Sequence, residues 1–344
     1  MMERRRNVGA DVIRLLAMLM VCVLHVNFFS DCISCFPNYL YETVCIQAVN
    51  LFALLTGYFC IEAGWKIRRY TRIWFQVAFY AMGGTLLACG LKSIGLFEAY
   101  SLPCRSVLLP VPFAGGYWYF TAYTAVFLLI PFLNRLIKNL SQRETGILCL
   151  IVVLCFPLMN TFRGYGEIYQ MGYNVAWLTA LYVAGAYMRL YPLKWGRAAT
   201  CLVLLCSLTL QSVLYVAEAP SVLLYAYPLV VLSSVCMFHL CVGLSIKSPK
   251  IVGAVTYLAP LAFGVYLAQC HPFSRYALQE ILGQLYSRIG AVWWYVPVFA
   301  LVLFAGCLFV DWCRARLFSL LRVSAWADRL AAACPEWLKD LEKM

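Results

Sequence analysis

Residues 7–29 read NVGADVIRLLAMLMVCVLHVNFF. This run is close to the roughly 20 apolar residues that cross a hydrocarbon core, and it follows the basic residues Arg4, Arg5 and Arg6. That start resembles a secretory leader. However, the run holds Asp11 and Arg14 and lacks a small-residue cleavage site, so it reads as a retained first helix. Nine further apolar runs follow at about 41–61, 70–91, 117–137, 145–162, 172–190, 198–216, 221–245, 252–272 and 291–313. Strands would need closed-barrel alternation, which is not visible, so helices are the expected spanning element. Across 344 residues, 64% are hydrophobic, only 12% are charged and the mean hydropathy is +0.79. Soluble domains carry about 25% charge, so a water-soluble fold, a disordered chain and a single-span anchor are excluded. The fold class is all-α, a polytopic transmembrane helix bundle of about ten spans.

The 27 basic against 15 acidic residues would suggest nucleic acid in a soluble protein. Their placement gives another reading. Alternate connections hold Arg4–Arg6; Lys66, Arg68, Arg69 and Arg72; Arg135, Lys138 and Arg143; Arg189, Lys194 and Arg197; and Lys247 and Lys250. The tail adds Arg314, Arg316, Arg322, Arg329, Lys339 and Lys343, for twenty-one in all. The other connections hold only five, Lys92, Arg105, Arg163, Arg275 and Arg288. Positive residues gather in cytoplasmic loops, so both termini are expected in the cytoplasm and no nucleic-acid partner is expected.

Most of the 17 cysteines lie inside apolar runs, where cysteine packs as a small hydrophobe. Cys32 and Cys35 form the one C-x-x-C, in an outer connection, at a spacing that allows a disulfide. No zinc-like ligand set is present, and no metal is expected. The connections 92–116 and 273–290 are expected to shape an outward mouth. Residues 1–318 read as the membrane domain. In 319–344, Trp326, Leu330, Trp337 and Leu341 recur at helical spacing, as in an interfacial amphipathic tail on the inner leaflet. No internal repeat is evident, which disfavours an inverted-repeat transporter.

Ionisable residues within spans are costly and mark function by default. Arg14 and His25 stand eleven residues apart, which at about 100° per residue places them on one stripe, roughly 16 Å apart. Asp11 is an i,i+3 neighbour of Arg14 and suited to orient it. The bland alternative is a snorkelling arginine and a packed histidine. Arg68, Arg69 and Arg72 read either as membrane anchors or, with Arg14, as an anion pocket in which guanidinium groups grip phosphates. His239, between Phe238 and Leu240, reads as packed and hydrogen-bonded. Asn27, Gln47 and Asn50 read either as cavity-lining groups or as polar residues joining helices. Trp118 and Tyr119 sit at a membrane boundary, where aromatic belts form in any case.

The Arg14-x10-His25 pattern is similar to that of the bacterial membrane acyltransferase family 3. Further similar segments follow in the same order: LFALLTGYF at 51–59, Arg69 and Arg72, YWYFTAYTAVFLLIPFLN at 117–134, LYVAGAY at 181–187 and FGVYLAQCHP at 263–272. The resemblance implies transfer of an acyl group, commonly acetyl, from cytoplasmic acyl-CoA to a hydroxyl of an exopolysaccharide, capsule or other envelope glycan, lipid-linked glycans included. It implies residence in the bacterial inner membrane, in contact with lipid. His25 matches the family's essential histidine, Arg14 its arginine, and Arg69 and Arg72 its third-helix basic pair. From these and the residues themselves, His25 and His271 are the expected catalytic groups, Arg14, Arg69 and Arg72 the expected acyl-CoA ligands, and Asn27, Trp118 and Tyr266 the expected acceptor-binding residues. One departure stands out: relatives often carry His-x-His-Pro near the end, and here Gln269 replaces the first histidine. From the residues alone, a transporter or flippase and a non-catalytic binding module remain open.

Overall fold

In the computed structural model, residues 6–30, 38–101, 116–163, 172–290 and 292–343 are described, and among them there are helices and no strands. The expected Cys32–Cys35 bridge and most of the 92–116 connection fall outside the described residues. The bundle is built round α1 (Val8–Phe29), which Asn7 caps by accepting the Ala10 N–H at 3.0 Å. The next elements are α2 (Asn38–Cys45), α3 (Ala48–Ala63), α4 (Ile67–Ser93) and α5 (Trp118–Asn139). A continuous helical segment then runs through α6 (Gln142–Leu150), a π turn at Ile151–Cys155 and α7 (Phe156–Arg163). After it come α8 (Val175–Leu190), α9 (Arg197–Val216), α10 (Pro228–Val242), α11 (Pro249–Leu258), α12 (Ala262–Cys270), α13 (Pro272–Ile289) and α14 (Tyr295–Leu320). The chain ends in α15 (Val323–Ala332) and α16 (Glu336–Asp340). Helices α2, α3 and α10 to α14 all touch α1.

All ten apolar runs fold as helix. Among the described residues, eight helical segments are long and apolar enough to cross a membrane, and α8 and α10, with 16 and 15 residues, are shorter. The run read at 221–245 starts late because Tyr227 precedes Pro228, and a residue before proline avoids the α region. The expected connection 273–290 is instead the 18-residue helix α13, started by His271 as cap and Pro272 in its first turn. The polarity of the bundle suits lipid. On α9, Leu202, Leu205 and Val213 are exposed, while Thr200, Ser207 and Gln211 face inward. Ser207 shares a 2.8 Å hydrogen bond with Ser233 of α10.

Two features set the site in place. Pro260 interrupts the segment between α11 and α12 with a 3₁₀ turn, Ala259–Leu261. It cannot donate to the Thr256 carbonyl four residues earlier, and Arg6 donates to that oxygen instead, at 3.0 Å. The second feature is the contact of α3 with α8, which rests on glycine. A Cβ at Gly57 would strike the Tyr182 carbonyl, and one at Gly185 would strike that of Leu54. The two backbones therefore touch, as small residues permit in membranes. Asn134 of α5 locks the pair, donating to the Cys60 carbonyl at 2.9 Å and accepting from the Tyr182 hydroxyl at 2.6 Å. Gly185→Ala should destabilise the solubilised protein by about 1–3 kcal/mol, the usual cost of overpacking. Gly83→Ala, whose added carbon meets nothing within 4 Å, should leave thermal unfolding near wild type.

The segment after α14 packs back on the bundle. Ala327 and Ala331 of α15 are buried, α15 lies against α4, and the Thr71 hydroxyl donates to the Ala327 carbonyl at 3.2 Å. Trp326, Leu330 and Trp337 remain exposed.

Candidate active site

Two cavities flank the middle of α1. The larger, about 670 Å³, opens at the Arg14 end and is lined by Arg6, Arg14, Lys66, Arg68, Arg69 and Arg72, with Asp11 as its single carboxylate among the described residues. Its volume falls within the ~300–1,000 Å³ of small-molecule sites. Asp11 is buried and bridges two cations: one oxygen meets Arg14 and the other meets Arg6, each at 2.5 Å. The Arg14 guanidinium lies 5.1 Å from the centre of the Phe59 ring, a cation–π contact that fixes its plane. Arg72 and Arg68 reach Asp328 of α15 at 2.9 and 3.4 Å. Among the described residues neither Lys66 nor Arg69 has an ion-pair partner, so their charge is available to an anion. The fold therefore collects Arg14, Arg69 and Arg72 in one place, together with Arg6 and Lys66, which the loop-charge pattern explains as topology alone.

The smaller cavity, about 310 Å³, lies at the His25 end. Trp118, Tyr119, Tyr173, Tyr225 and Tyr266 make it strongly aromatic, and Glu42 and Arg275 add one charge of each sign. The Trp118 ring lies 4.7 Å from that of Tyr173, which lies 4.8 Å from that of Tyr225. The Tyr119 N–H donates to the Tyr266 hydroxyl at 3.3 Å. Glu42 accepts from the Tyr215 hydroxyl at 2.7 Å. His25 is half-buried on the wall, its Nδ1 3.0 Å from the Gln269 side-chain oxygen.

Phe52, Tyr119 and Phe263 line both cavities. The two spaces are thus neighbours across a partition of three aromatic side chains from α3, α5 and α12. A cationic chamber and an aromatic chamber bordered by His25 meet at one wall.

Not every expected residue reaches the site. His271 lines neither cavity. Its Nδ1 accepts the Phe273 N–H at 3.2 Å, capping α13, its Nε2 lies 3.4 Å from the Thr85 hydroxyl, and its ring packs over Gly84. The structure thus gives His271 a helix-capping place outside the lining of both cavities, where Pro272 starts a new helix. Asn27 is buried, lines neither cavity, and has no partner for either amide atom among the described residues. Asn50 joins helices, accepting from the Trp177 indole at 3.0 Å and donating to the Tyr225 carbonyl at 2.8 Å. Gln47 donates to the Thr43 carbonyl at 3.0 Å. His239, in the last turn of α10, lies 3.2 Å from the Trp195 carbonyl, away from both cavities. Sequence reading missed Tyr173, Tyr225, Arg275 and Glu42 as wall residues, since their spans or loops are distant along the chain and tyrosine is common throughout it.

The acyltransferase domain model of acyltransferase family 3 matches residues 7–312, and the chain belongs to that family. It is a multi-pass membrane acyltransferase. The transporter and binding-module readings are thereby set aside. No curated protein and no solved structure matches the chain.

Proposed function

We propose that the protein moves an acyl group, acetyl in the first instance, from acyl-CoA in the basic cavity to a hydroxyl of an envelope or extracellular glycan in the aromatic cavity. The observation that carries this reading is the shared wall: two chambers of opposite chemistry border on Phe52, Tyr119 and Phe263. Six cations and one carboxylate suit a ligand rich in phosphate, and aromatic faces with a few polar groups suit a sugar. Arg14, Arg69 and Arg72 hold the donor phosphates, with Asp11 orienting Arg14. Trp118 and Tyr266 border the acceptor. His25 takes the proton from the sugar hydroxyl as that oxygen attacks the thioester carbonyl. The carbon–sulfur bond then breaks, and the imidazolium returns its proton to the departing thiolate, leaving an ester and free CoA. No metal takes part.

In this reading the bundle has ten spans and lies in a bacterial inner membrane, with both termini and the 319–344 segment on the cytoplasmic side. The basic cavity then opens to the acyl-CoA pool. The asymmetry of twenty-one to five basic residues between alternate connections supports this orientation. Reporter fusions at residues 105 and 344 should therefore report opposite sides of the membrane. Both on one side would remove the scheme of an inner donor and an outer acceptor. Function itself is tested by mass spectrometry of the surface glycan with and without the gene. A loss of acetyl esters is expected, and an unchanged glycan would count against the proposed acceptor.

A further inference from the structure

The family departure at Gln269 falls on the side chain that, among the described residues, hydrogen-bonds the proposed base. Gln269 sits on α12, buried against the face of α1 that carries Met18, Cys22 and His25 at i, i+4 and i+7. Its amide nitrogen points at Cys22 Sγ, 3.5 Å away, and Met18 Sδ, 3.9 Å away. Its oxygen faces His25 Nδ1 at 3.0 Å. The direction of the amide follows from donor and acceptor capacity. A thioether sulfur only accepts, so the NH₂ belongs on that side and the carbonyl oxygen toward the imidazole. An amide oxygen also only accepts, so Nδ1 must carry the imidazole proton. Among the described residues no hydrogen bond engages Nε2, and the ring borders the aromatic cavity.

We infer that Gln269 is the positioning residue of His25: by accepting the Nδ1–H it sets the tautomer and ring plane that leave the Nε2 lone pair available to the acceptor hydroxyl. This rests on the reading of His25 as general base. The two ring nitrogens of histidine are chemically distinct, and the partner of one decides the task of the other. Here a neutral amide does what a carboxylate does for many catalytic histidines, and it introduces no second titrating group in the membrane. Gln269 lies 244 residues from His25 along the chain, and the contact brings α12 onto α1 at the depth of the reacting atoms.

The test uses the full-length protein in membranes, with acetyl-CoA as donor and the cell's own glycan as acceptor. Gln269→Met keeps the length and burial of the side chain and removes the acceptor oxygen. Its kcat should fall about 10–100-fold, as when the group orienting a functional histidine is lost, with the KM for acetyl-CoA within about twofold of wild type. Gln269→His, which restores an acceptor, should recover most of the kcat. The double variant His25→Ala/Gln269→Met should be no slower than His25→Ala, because the two act as one unit. Thermal unfolding of the solubilised variants should stay near wild type. If Gln269→Met does not accumulate, Gln269→Glu serves instead: it keeps an acceptor oxygen on a side chain of the same length and should retain activity well above that of His25→Ala. Wild-type kcat in Gln269→Met, or a loss that tracks a fall in unfolding temperature and is not recovered by Gln269→His, would overturn the inference. So would a Gln269→Glu protein as inactive as His25→Ala. If His25→Ala itself remains active, the base reading fails first. If His25→Ala is inactive and Gln269→Met is not impaired, only the positioning role fails.

Discussion

Replacement of His25 by alanine is expected to lower acyl transfer by about 10²–10⁴-fold, the range for loss of a general base, while the protein still inserts. The side chain is half-buried at a cavity wall, and its ring touches Phe29 at a centroid distance of 5.4 Å. Truncation therefore removes little core and mainly enlarges the chamber. His239→Ala is the matched control. That residue is also a histidine in an apolar helix, but it bonds the Trp195 carbonyl away from both cavities. It should leave transfer near wild type. Activity assays normalised to inserted protein check both, and an active His25→Ala would reduce His25 to a packing residue.

The second large effect belongs to the arginines. Arg69 lines the basic cavity with no carboxylate paired to it among the described residues. Loss of one charge-assisted contact to a phosphate costs about 1.5–3 kcal/mol, so Arg69→Ala should raise the KM for acyl-CoA roughly 10–100-fold. The KM for the acceptor should move far less. Arg69→Lys should recover only part of this, because a point charge lacks the planar fork. Arg72→Ala should act in the same direction but more weakly, since Arg72 already shares its charge with Asp328 at 2.9 Å. Arg14 needs a companion, because Asp11 ties it to Arg6. If Arg14 matters only through that cluster, Asp11→Asn and Arg14→Ala should lower the inserted amount together. If Arg14 faces the donor, only its own replacement should raise the KM at normal protein level. Unchanged donor KM values across the set would return these arginines to membrane anchoring.

The bundle was legible in the sequence because hydrocarbon length imposes itself on every run, and each of the ten runs is helical. Where the boundaries differ, local chemistry explains it. Pro228 delays α10, Pro272 converts an expected loop into α13, and Arg314 and Arg316, read as part of the tail, lie within α14. The stripe of Arg14 and His25 was legible too, being a matter of helical pitch. Part of the family's pattern turns out to be architecture. Gly57, Asn134, Tyr182 and Gly185 belong to the segments 51–59, 117–134 and 181–187, and they bind α3, α5 and α8 together behind the site. Pairings across the chain were not legible. Asp328 reaches Arg72 across 256 residues and Gln269 reaches His25 across 244, and no local pattern encodes either contact. A histidine before proline fits a helix cap as well as a catalytic group, and the fold shows the capping contact of His271 to the Phe273 N–H.

In the proposed reaction, donor and acceptor approach His25 from opposite sides of the membrane. Inside-out membrane vesicles test it most directly. Labelled acetyl-CoA, which does not cross the bilayer, is supplied to the exposed cytoplasmic face, and the glycan is enclosed in the lumen. Label is expected on the enclosed glycan with the wild-type protein and none with His25→Ala. Label that appears only when glycan and acetyl-CoA share one side would contradict it.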